Sequence, residues 1–181
     1  DRLYTHWNNS PARDHYRIAW RRMAANTGER TLTPAIIPPG TAHVHPICSA
    51  GLPEDTSATL ILVSGIASSL LTDFQIRSRA RNDIHGSDFS LLPAPDYHSD
   101  MAIGILLRTL RLNCITNAYA DLWAECWDEA FLDDSPILER YDERPIGPEW
   151  TADTPLRRAE DCRNAQAEID VMVAIMLGVP I

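Results

Sequence analysis

The residues with binding or catalytic chemistry fall into a few groups. His43, His45 and Cys48 are soft donors close together in the chain, enough for three ligands of a metal site. The same two histidines with an acid would suit a small hydrolase. On a strand, though, two histidines are most simply polar-face residues. The acids of 121–143 could in principle hold a divalent cation, but a solvated acidic helix and loop is much the simpler reading. The basic residues are more informative. Arg17, Arg21, Arg22 and Arg30 cluster with Asn26, Thr27, Thr31 and Thr33 interleaved. Those side chains hold phosphates and read base edges. Arg77, Arg79 and Arg81 follow at alternate positions. The plain alternative is a charged strand face.

The chain contains no Gly-rich phosphate loop, no H-E-x-x-H, no nucleophile elbow and no paired-cysteine zinc motif. All sixteen basic residues are arginine. Each is therefore a planar fork suited to phosphate or guanine. The net charge of −9 by itself argues against nucleic acid, but the charge is uneven. Residues 1–45 carry six Arg against Asp1, Asp14 and Glu29, giving +3. Residues 46–120 carry five Arg against seven acids, giving −2. Residues 121–181 carry five Arg against fifteen acids, giving −10. A basic front and an acidic back suit a face for a polyanion with a solvated or partner-facing rear.

The elements that would position these groups follow from periodicity. The 181 residues suffice for one domain with a sizeable core. Residues 15–25 alternate, with Tyr16, Ile18 and Trp20 on one side and Arg17, Ala19 and Arg21 on the other. This predicts a half-buried strand with a basic outer face. Residues 31–38 continue as extended chain with Pro34 marking an edge or bulge, Pro38-Pro39-Gly40 is a turn, and residues 42–48 alternate again. Residues 57–74 form one apolar helix, with Leu60, Val63, Ala67, Leu70 and Phe74 facing the core. It is too short and too rich in Ser and Thr to span a membrane. Helical patterning returns over 100–131 with a break near 112–114, and 132–153 is an acidic loop. A last helix is expected from Thr154-Pro155 through Cys162, Gln166, Ile169, Met172 and Met176, ending at Gly178. The expected fold is α+β: a small, mostly antiparallel sheet packed on a long apolar helix, followed by a helical C-terminal third. Residues 1–56 supply mainly strands and 57–181 mainly helices. Cys48, Cys114, Cys126 and Cys162 are widely spaced and read as reduced, buried thiols of a cytoplasmic protein. No secretory signal is visible. The chain starts at Asp1 and stops just after a helix, so it is expected to be a piece of a longer one.

Four stretches carry a resemblance. They are YRIAWRRMAANTGERTLTPAIIPPGTAHVH, DFQIRSRARNDIHGSDFSLLPAPD, LLRTLRLNCITNAYADLW and RRAEDCRNAQAEIDVMVAIMLGV. In this order they resemble the C-terminal target-recognition region of type IIG adenine-specific DNA methyltransferases and the related phage-defence methylases of BREX and DISARM systems. The resemblance covers nearly the whole chain. It implies an adenine-N6 methyltransferase using S-adenosylmethionine, in some members with a nuclease attached. The family's Asn-Pro-Pro-aromatic motif and cofactor loop are missing here; Ile37-Pro38-Pro39-Gly40 lacks both the Asn and the aromatic. No catalytic or cofactor residue is therefore carried over, and no cofactor is expected on this chain itself. The implied role is recognition of double-stranded DNA beside an upstream methyltransferase domain of the same polypeptide. The reading face is expected on Arg17, Arg21, Arg22, Asn26, Arg30 and Thr31. Arg77, Arg79 and Arg81 are expected to be auxiliary phosphate contacts. The rival from another class is a protein-interaction module of a defence-system complex without DNA contact.

Overall fold

The computed structural model describes residues 6–7, 10–24, 27–52, 56–79, 82–134 and 144–179. The chain is α+β, with its described strands ahead of its longer helices. A short ladder joins β1 (His6–Trp7) to β2 (Ser10–Pro11). The main sheet is antiparallel and has three strands: β3 (Arg17–Arg21) lies in the middle, between β4 (Ala35–Ile37) and β5 (Ile47–Ala50). Ile18 is paired with Ile36 on one side and Ala50 on the other. Pro34 immediately precedes edge strand β4, where its missing N–H interrupts no ladder.

Helix α1 (Ser57–Ser68) is the hub. Thr56 caps it, its hydroxyl accepting from the Thr59 N–H at 3.3 Å. Its apolar residues supply three separate clusters. Leu60 and Ala67 meet Ile18, Trp20 and Leu32 beneath the sheet. Ile61 joins Leu110, Trp123 and Phe131. Leu62 and Ile66 pack with Ile105, Ile169 and Met172. A helix surrounded on all sides needs apolar residues all round, which explains why no charge falls between Asp55 and Asp73. Gly65 lets α4 (Ala102–Asn113) approach closely: a Cβ there would lie 2.5 Å from Thr109 Oγ1 and 2.6 Å from Ile105 Cγ2. After the short α3 (Gly86–Phe89) and α4, helix α5 (Ala120–Cys126) and the long α6 (Ala159–Met176) close the core.

Four expectations need correction. The apolar run is two helices rather than one. It breaks at Ser69, and α2 (Leu70–Arg77) leaves at 64° to α1. Ser69 ends the first helix and caps the second, accepting from the Thr72 N–H at 3.3 Å. The break resets the helical phase, so Leu70 is 49% exposed and Phe74 71% exposed. No single described helix is long and apolar enough to cross a membrane. The second correction concerns residues 42–48: the strand starts only at Ile47, and His43 and His45 lie in the loop before it. Third, α6 begins at Ala159. The Thr154 hydroxyl instead accepts from the Thr151 N–H at 2.8 Å, closing a turn. Its C-terminus is as expected. Gly178 has φ +70°, and the Val179 and Gly178 N–H groups donate to the Ala174 and Ile175 carbonyls, both at 2.9 Å. The fourth correction is among the thiols. All four are free, and Cys114 and Cys126 are buried, but Cys48 and Cys162 are only half-buried.

The helical layer also buries a charged cluster. Arg108 on α4 is 1% exposed and Glu168 on α6 is 1% exposed, and they pair directly. Arg108 also holds Asp134 at 2.7 Å and the Gly104 carbonyl at 3.0 Å. A buried guanidinium is tolerable only with such complete pairing.

Candidate nucleic-acid interface

The basic face expected on β3 is mostly turned to internal work. Both sides of β3 are covered over residues 17–20. Arg17 is 5% exposed. It donates to the Thr41 carbonyl, in the loop that follows β4, and to Ser49 Oγ at 3.5 Å on β5. Burial lowers its pKa below the usual arginine value. Arg17 is therefore not on an outer face. The alternation that suggested one fixes only which residues share a side, while the loop over Thr41 decides whether that side sees water.

Arg30 and Thr31 are likewise enclosed. Arg30 grips Asp170 of α6 with two bonds, at 3.1 and 2.7 Å, and donates to the Ser68 carbonyl at 2.6 Å. Thr31 is 4% exposed. Asp73, buried on α2, accepts from the Thr31 and Leu32 N–H groups at 2.6 and 2.8 Å. Arg77 pairs with Asp73 at 2.6 Å and donates to the Gly28 and Glu29 carbonyls at 2.8 and 2.9 Å. Asp73 and Arg77 together clamp the segment 28–32 to α2, so Arg77 is a clamp in this fold and not an isolated cation on a helix end. Arg79 is half-buried, and its buried Nη1 has no hydrogen-bond partner among the described residues. Asn26 and Arg81 lie outside the described residues.

Arg21 and Arg22 remain accessible. Arg21 is exposed at the end of β3. Arg22 stands at the wall of a cleft of about 490 Å³ along the outer edge of β5. Three distant segments meet there. The Arg22 N–H donates to the Pro46 carbonyl at 2.8 Å, and the Ile84 N–H donates to the Arg22 carbonyl at 2.6 Å. The cleft is lined by Arg22 and by exposed His43, His45 and His85, together with buried Trp20 and half-buried Cys48. Arg22 is paired with Asp83 at 3.1 Å and contacts the His45 ring. His43 Nε2 is 2.8 Å from Ser49 Oγ. Among the described residues no three His, Cys, Asp or Glu side chains are placed to hold a metal ion, so His43, His45 and Cys48 do not form a closed metal site.

His85, Asp83 and Ser49 had no signal in the sequence. His85 and Ser49 reach the cleft, and Asp83 the back of Arg22, through the bridge between Met23 and Asp83 and the pairing of Ala19 with Ser49. Both are tertiary events with no periodicity of their own. Comparison with protein-family models, with curated proteins and with solved structures finds no match for this chain.

Proposed function

We propose that this chain is the DNA-recognition region of a site-specific adenine-N6 DNA methyltransferase. On this reading, S-adenosylmethionine and the methyl transfer belong to a methyltransferase domain upstream in the same polypeptide. The observation that carries the reading is exposed Arg21 at the end of β3, next in the chain to Arg22 of the histidine-rimmed cleft, set in the basic first quarter of an otherwise acidic chain. The ordered resemblance over four stretches supplies the enzyme class. Methylating adenine requires the base to leave the stack, so a separate element must grip the duplex and select the site. Arg21 is the residue best placed to read a base edge, and a bidentate arginine–guanine contact discriminates by about 1–3 kcal/mol.

Arg17, Arg30 and Arg77 are engaged by internal partners and Thr31 is buried, so none of the four is assigned a base contact. The test is a salt-dependent titration of the chain with duplex DNA, paired with methylation-site sequencing of the longer protein. Arg21→Ala is expected to weaken DNA binding and to relax the methylated sequence at one position. DNA affinity and methylation pattern both unchanged by Arg21→Ala would refute the assignment.

One observation favours the rival reading of a protein-interaction module. Leu70, Phe74, Val171 and Ile175 are large apolar residues left exposed on α2 and α6, the two helices joined through Asp170. Saturable association with a protein partner, with no salt-dependent DNA binding, would favour that reading instead.

A further inference from the structure

We propose that the cleft at the outer edge of β5 is a phosphate-group site whose donors are Arg22, His43, His45 and His85. The inference deepens the DNA-recognition reading and rests on it for the source of the phosphate, a backbone phosphodiester.

Composition is the first argument. The chain carries a net charge of −9, yet no carboxylate lines this cleft among the described residues. Three of the chain's six histidines and one arginine do. Asp83 sits behind them, 3.1 Å from Arg22, and orients the guanidinium. The second argument is spare hydrogen-bonding capacity. Among the described residues Arg22 contacts His45 through Nη1 and Asp83 through Nη2, and each of these nitrogens carries a second N–H. A tetrahedral oxyanion accepts from arginine and imidazole N–H groups together.

The third argument is preorganisation. The donors come from three separate segments, and backbone bonds at 2.8 and 2.6 Å fix those segments on either side of Arg22. Donors held in place before binding lose little entropy when the ligand arrives. The fourth is access. His43, His45 and His85 are all exposed, so the rim can meet a phosphate carried on a large, rigid polymer. Arg21, exposed one residue before Arg22, projects from the same strand end. The phosphate anchor would then lie one residue along the chain from the proposed base-reading residue.

The experiment follows the histidine ring signals of the whole chain by NMR. One arm adds inorganic phosphate and the other a short DNA duplex. His15 and His98, which do not line the cleft, are internal controls. The expected result is a joint, saturable shift of His43, His45 and His85 in both arms while the controls stay still. Arg22→Gln should weaken phosphate binding about tenfold or more. His85→Ala should also weaken it, and it leaves the Arg22–Asp83 and Arg22–His45 contacts intact should Arg22→Gln fail to fold. Equal shifts at His98 would mean charge screening and would overturn the site, as would unchanged affinity in a folded variant. DNA binding that leaves the three rings unmoved overturns the site while sparing DNA recognition. Phosphate binding without DNA binding upholds the site and overturns DNA recognition.

Discussion

Replacing Arg30 with Ala separates the two roles this residue can have. As a DNA-reading residue it would matter for affinity and not for stability. The structure makes it a brace between the segment after β3 and α6. Arg30→Ala removes two bonds to Asp170, at 3.1 and 2.7 Å, and one to the Ser68 carbonyl at 2.6 Å. Both side chains of the pair are 15% exposed. The cost should therefore exceed the ~1 kcal/mol limit of surface pairs. It should fall short of the ~3–5 kcal/mol for breaking a fully buried pair. Asp170 also keeps one partner, the Leu70 N–H at 2.9 Å. An expected loss of about 2–3 kcal/mol follows. At about 2–4 °C per kcal/mol for a chain of this size, Tm should fall by about 4–12 °C. Differential scanning calorimetry gives the answer, and Asp170→Ala should cause a loss of similar size because it leaves the guanidinium without its carboxylate. A Tm unchanged to within about 1 °C, together with weakened DNA binding, would refute the bracing argument.

The break at Ser69 makes a paired prediction: Leu62→Ala, at a site with 0% exposure, should cost ~2–5 kcal/mol in denaturant unfolding. Leu70→Ala, at 49% exposure, should cost less than ~1 kcal/mol, and equal losses would show that the run is one continuous core helix. The buried thiols make another. Burial pushes Cys114 and Cys126 up to about 12, with like-charge repulsion from Cys126 and Glu125 respectively as the smaller cause. At pH 8 both should resist iodoacetamide in the folded chain and react only on unfolding, as mass spectrometry would show. The sign for stability follows from the same shift. Below pH 9 these thiols are protonated in both states. As pH rises from 9 towards 12 the unfolded thiols ionise first, so their stabilising contribution is progressively lost. The double variant Cys114→Ala, Cys126→Ala should show a shallower alkaline decline in Tm; an identical decline would refute the assignment.

Local pattern determined much of this protein. Alternation around Ile18 and Trp20 made a strand, the turn at Pro38-Pro39-Gly40 ended the next, and Gly178 stopped the last helix in a left-handed conformation that closes its final carbonyls. The uncharged run meant a buried helix only as far as Ser68, because α1 supplies three clusters and has no side left for a charge. Tertiary structure alone decided what the charges do. Sequence placed Arg17, Arg30 and Arg77 among candidate contacts because they are cations near one another. Their partners, Thr41 and Ser49, Asp170, and Asp73 with the 28–29 carbonyls, are mostly tens of residues away or in irregular loops. Apart from Asp73 and Arg77, which the i,i+4 spacing of a helix brings together, these pairings depend on distance in space, and no periodicity encodes that. The cleft has the same origin. His43 and His45 were visible as a pair, but His85 joined them only because residues 82–84 pair with the chain just after β3.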